Sequence, residues 1–87
     1  MEKDPTRSGR LAFLRAEMQT GLTFASIAEE ASDQDKINRS RKNARKACQS
    51  VRHFICRVTL SEDESNELHD KLEELERRLQ ILEEAVV

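Results

Sequence analysis

The chain has 87 residues, 37% of them charged, with three Phe, no Trp or Tyr, two Gly and one Pro. That length holds one domain with a small core, so an enzyme with its own enclosed pocket is not expected. The net charge of −2 conceals a change of sign along the chain: Lys36 to Thr59 carries eight Lys or Arg and no acid, Leu60 to Val87 carries ten Asp or Glu against Lys71, Arg77 and Arg78, and the first 35 residues carry −3.

Residues 1–9, with Pro5, Ser8 and Gly9, read as a flexible tail ahead of a single helical domain over 10–87. The start MEKDPTRSGR lacks an apolar h-region, and no apolar run approaches the ~20 residues of a membrane span. The expectation is a soluble, cytoplasmic protein with no membrane partner. A first helix is predicted from about Arg10 to Ala31, because Leu11, Leu14, Met18, Leu22, Ala25 and Ala28 recur at spacings of three and four. Phe13, Phe24 and Ile27 flank that stripe. Gly21 costs a helix about 1 kcal/mol relative to Ala, which leaves open a split into two shorter helices at Thr20-Gly21.

Ser32-Asp33-Gln34-Asp35 carries residues that end one helix and N-cap the next. In the second helix, Ile37, Ala44, Ala47, Cys48, Val51, Phe54, Ile55 and Val58 fall within an arc of about 120° at 100° per residue. Arg41, Arg45 and Arg52 border the arc, and Arg39, Lys42, Lys46, His53 and Arg57 form a basic stripe on the far side. Leu60-Ser61-Glu62-Asp63-Glu64 then holds a capping box, with Ser61 as N-cap, Glu64 three residues on, and acids that suit the helix dipole. Leu68, Leu72, Leu75, Leu79, Leu82 and Val86 follow at spacings of four and three, a narrow heptad seam in a third helix. The short connection at Thr59 to Ser61 makes helices two and three antiparallel neighbours. The predicted fold is all-α, a three-helix bundle in which helices two and three form an antiparallel coiled-coil-like hairpin and helix one packs across it.

Catalytic chemistry is thin. Cys48 and Cys56 lie eight positions apart, roughly 12 Å along a helix, too far for a mutual disulfide, so both read as reduced thiols. His53 with Cys56 is half a metal site and nothing completes it. No Gly-rich phosphate loop is present, and no cofactor, metal or catalytic residue is expected. The basic run from Arg39 to Lys46 has two readings. It neutralises phosphates on a nucleic acid, or the acidic third helix takes up part of it within the fold. In an antiparallel hairpin, Arg41 and Arg45 come level with Glu76 and Glu83, which flank one side of the seam, whereas Arg52 comes level with Leu68 and His69, where that side offers no acid; which border faces which depends on the hand of the hairpin, which the sequence does not fix. Arg39, Lys42, Lys46 and Arg57 face away and remain for a partner.

Two resemblances follow from these residues. Residues 21–31 (GLTFASIAEEA), Ile37, Arg39-Ser40-Arg41 and Ala44-Arg45-Lys46-Ala47 resemble the helix-turn-helix of the DNA-binding region of bacterial sigma factors and related regulators. The turn, Ser32 to Lys36, departs from that family's small residue and buried aliphatic. The helix with Gly21 and Phe24, the run Asn43 to Ala47, and the long third helix look like three-helix adaptor modules related to tetratricopeptide repeats, and like a group of small bacterial helical proteins of unknown function. Cys48 stands where tetratricopeptide-like helices often carry an aromatic. The function expected is a non-catalytic protein-interaction or structural module, with a protein or a second copy of itself as partner. The alternative is nucleic-acid binding through the second helix. In both readings the partner meets Arg39, Lys42, Lys46, His53 and Arg57, and any self-association uses residues left off the seam, such as Ile81.

Overall fold

The computed structural model describes the backbone of residues 5–84 and the side chains of residues 8–84. Three helices, α1 (Pro5–Glu30), α2 (Gln34–Ile55) and α3 (Glu62–Glu84), account for nearly all of it, with no strand among the described residues. α1 starts at Pro5 and not at Arg10. Proline's fixed φ is pre-organised for a first helical turn, and its missing N–H has no partner to lose there. Half of the expected tail is therefore helical, while residues 1–4 lie outside the described residues. Nor does α1 break at Gly21, which sits buried in a continuous helix.

Gly21 is tolerated because two helices crowd it. A Cβ built there would lie 2.6 Å from Leu75 Cδ2 and 3.3 Å from Ala47 Cβ. Gly21, Ala25 and Ala28 on α1 and Ser40, Ala44 and Ala47 on α2 are all buried. Small side chains let these two backbones approach, and α1 packs more extensively on α2 than either does on α3. The tightest pair is thus α1 with α2. α3 fills the remaining groove with Leu68, Leu72, Leu75 and Leu79, all buried, and Leu82 partly buried; Val86, the last residue of the expected seam, lies outside the described residues. Val58 and Leu60, from the connection, close one end of the core.

Both predicted caps form. The Asp33 carboxylate accepts from the Asp35 N–H at 3.4 Å. The Glu64 N–H donates to Ser61 Oγ at 3.1 Å, and the Ser61 N–H donates to Glu64 Oε1 at 2.9 Å, so two orphan donors of the first turn are satisfied reciprocally. Ion pairs lace the outside: Arg15 to Glu67, Arg45 to Glu83, Arg52 to Glu76, and Arg78 to Glu29. Partner numbers fall along α3 as they rise along α2, the order expected of helices running in opposite directions. The bundle is elongated, 53 × 18 × 18 Å. No helix among the described residues is long and apolar enough to cross a membrane.

Candidate interaction face on the second helix

Asp35 is the only acid of α2, at its first turn, so everything the helix presents beyond that turn is basic, neutral or apolar. The apolar side is claimed by α1 and α3. Arg39, Lys42, Lys46 and His53 are exposed on the opposite side, as the periodicity predicts. Arg57 is exposed as well, but α2 ends at Ile55, and Arg57 lies in the turn that follows, where its N–H donates to Phe54 O at 2.9 Å. It extends the basic stripe without belonging to the helix. None of Arg39, Lys42, Lys46 and Arg57 forms an ion pair among the described residues.

The border arginines behave differently. Arg45 reaches Glu83 as expected from the hairpin register. Arg52 was expected to find no acid, yet it pairs with Glu76. Both pairs lie on one register, since Arg52 follows Arg45 by seven residues and Glu76 precedes Glu83 by seven; helical side chains lean toward their own N-terminus, so on oppositely running helices Arg52 and Glu76 reach toward each other along the axis. Arg41 is half-buried and lines, with Asn38, Lys42, Arg45, Lys46, Gln49 and Glu83, a basic trough along the α3 side of α2.

Aromatic residues complete the face. Phe54 lies on the edge of the predicted apolar arc, and the structure leaves it 39% exposed. Phe13, 43% exposed, meets it edge to face, with ring centroids 5.6 Å apart and planes at 89°. The His53 ring also meets Phe54 edge to face, with centroids 4.7 Å apart. Lys46, Gln49, Ser50, His53 and Phe54 together line a shallow groove on the outer face of α2. Edge-to-face packing is a favoured arrangement of aromatic rings, and it joins the two into one exposed apolar surface. The Phe13–Phe54 pair is a feature that periodicity alone did not place; its signal was the position of both residues at the margins of their stripes.

Cys48 is 1% exposed, and burial pushes its thiol up from the ordinary value despite the nearby Arg52 and Arg45; a protonated, enclosed thiol is a poor nucleophile. Its Sγ lies 3.9 Å from Glu76 Oε2. The exposed Cys56 thiol turns toward the His53 carbonyl at 3.6 Å, so the His53–Cys56 spacing yields a local hydrogen bond to backbone. No group of three or more His, Cys, Asp or Glu suited to a metal occurs among the described residues. Comparison with known proteins finds no matching family model, no matching curated protein and no matching solved structure.

Proposed function

We propose that this chain is a non-catalytic, cytoplasmic protein-interaction module that receives a helical, acidic partner on the outer face of α2. The observation that carries this reading is the continuity of two surfaces: a basic stripe whose Arg39, Lys42, Lys46 and Arg57 form no ion pair among the described residues runs into an exposed aromatic pair. A water-excluding aromatic anchor with a charged rim is the anatomy of an energetic centre in protein interfaces. Rim charges act mainly by steering and by rejecting wrong partners.

A second reading is nucleic-acid binding. It is favoured by the alignment of Arg39, Lys42 and Lys46 with the exposed amides of Asn43 and Gln49, which suits phosphate neutralisation. The −7 carried from Leu60 to Val87 opposes it. The two are separated by titrating the protein, at low salt, with a designed amphipathic helix bearing Glu and Leu on one face and, in parallel, with a random-sequence DNA duplex. The expected outcome is peptide binding that shifts the resonances of Lys46, His53 and Phe54, lost in a Lys42→Glu/Lys46→Glu variant of unchanged helicity. Retention of the duplex in place of the peptide assigns the face to nucleic acid.

A further inference from the structure

We infer that the occupant of the α2 face is the outer face of α3 from a second copy of this chain, docked head to tail. This rests on the reading of α2 as a docking surface and names its partner. The outer side of α3 is the chemical complement of α2. Asp63, Asp70, Glu73, Glu74, Ile81 and Glu84 are all exposed and fall within an arc of about 100° at 100° per residue. Asp63, Asp70, Glu73 and Glu84 form no ion pair among the described residues. Ile81, 59% exposed, is the most exposed large apolar side chain of the described residues and stands inside this acidic stripe. An acidic helix face with one apolar knob therefore occurs on the same molecule as a basic face with one shallow, Phe54-lined groove.

The charges select a direction. With Ile81 seated opposite Ser50 in the groove, an antiparallel crossing carries Glu84 to the level of Lys46 and Glu74 to the level of Arg57. A parallel crossing brings Asp70 level with Arg39 and Glu73 level with Lys42, but it opposes Arg77, the one cation of the α3 stripe, to Lys46. The antiparallel crossing opposes no like charges, and the inferred contact is antiparallel. Because the two faces sit on different helices of one bundle, each copy offers one face as acceptor and the other as donor. The contact is heterologous and does not close as an isologous dimer does. The assembly grows beyond two chains with rising concentration and dissociates as salt screens the rim.

The test is sedimentation equilibrium of the full chain at low and high salt, with concentrations up to about 1 mM to reach weak association. The expected result is mass above that of a dimer at low salt. Lys46→Glu and Ile81→Arg, both surface changes whose folding is checked by circular dichroism, each weaken association at least about tenfold. An equal mixture of the two variants forms a 1:1 dimer and nothing larger, since one copy keeps a working α3 face and the other a working α2 face. Lys46→Glu combined with Glu84→Lys in one chain restores assembly. A wild-type chain that stays monomeric throughout overturns the inference; so does a mixture that stays monomeric, or assembly untouched by either variant. If the monomeric wild type binds the acidic designed helix, α2 remains a docking surface and only the second copy is rejected. If it binds only duplex DNA, both readings fall.

Discussion

Gly21 illustrates how one missing methyl group sets the spacing of three helices. Alanine there gains about 1 kcal/mol of helix propensity, but its Cβ meets Leu75 Cδ2 at 2.6 Å, and Leu75 is wholly buried. Overpacking of this kind costs about 1 to 3 kcal/mol, so Gly21→Ala is predicted to destabilise. Leu75→Ala alone leaves a cavity and costs about 2 to 5 kcal/mol. The two changes share one volume and do not add. In the Leu75→Ala background, Gly21→Ala is predicted to be neutral or stabilising, because the colliding atom is gone and the new methyl enters the vacated space. Denaturant melts of the four proteins decide it; additive losses would mean that α1 and α3 do not meet at this point.

At the level of single helices, α3 carries its own instructions. Acids fill its first turn, where the helix dipole favours negative charge, and the reciprocal Ser61 and Glu64 hydrogen bonds close its N-terminus. Ser61→Ala is predicted to cost about 1 kcal/mol, and Ser61→Gly only a few tenths, because glycine also adopts the extended N-cap backbone and leaves the end open to water. A loss of no more than a few tenths of a kcal/mol for Ser61→Ala, read from chemical denaturation, would show that the cap contributes little. α2 is different in kind. It has few apolar residues and a strongly basic exterior, so its stability comes from the face it buries rather than from propensity.

For the whole bundle, two forked ion pairs tie α1 to α3. Arg15 donates to both Glu67 oxygens, at 3.0 and 3.2 Å. Arg78 donates to both Glu29 oxygens, at 2.8 and 2.9 Å, and to Ser26 Oγ at 2.9 Å, with Glu74 at 3.6 Å. These hydrogen bonds hold both carboxyls below the ordinary 4.5 and raise both guanidinium values. A carboxyl lowered on folding contributes stability that is fully present above its unfolded pKa and is lost as pH falls through the folded one. Acid should therefore lower the melting temperature progressively below about pH 4.5. Arg78→Met, which retains the apolar stem, is predicted to flatten that acid limb while leaving the bundle helical at neutral pH. The contribution is modest because the groups are largely solvated. A limb of unchanged steepness in thermal melts from about pH 6 to 3 would show that the Glu29 pair is not thermodynamically linked to folding.

Periodicity and caps are local properties, so they are legible in the sequence: the three helices, Ser61 as a cap and a second cap within Ser32 to Asp35, the buried Leu68 to Leu79 seam, and the outward placement of Arg39, Lys42, Lys46 and His53 all follow from spacing and side-chain chemistry. Pro5 at the head of α1 is a local signal that periodicity does not carry, because the first turn has no apolar stripe. Other features depended on which surface each helix met. Phe54 and Phe13 sit at the margins of their stripes, and a margin is buried only if a neighbour covers it; α3 packs on the other side of α2, so both rings stay exposed. Arg52 found Glu76 because reach and bundle register decide a long side chain's partner. Gly21, a helix-weakening residue by propensity, became the contact that admits Leu75 and Ala47. Sequence periodicity determines what each helix must hide, whereas the exposed aromatic pair, the ion-pair partners and the closeness of α1 to α2 are set by three helices sharing one small core, where covering one margin leaves another in water.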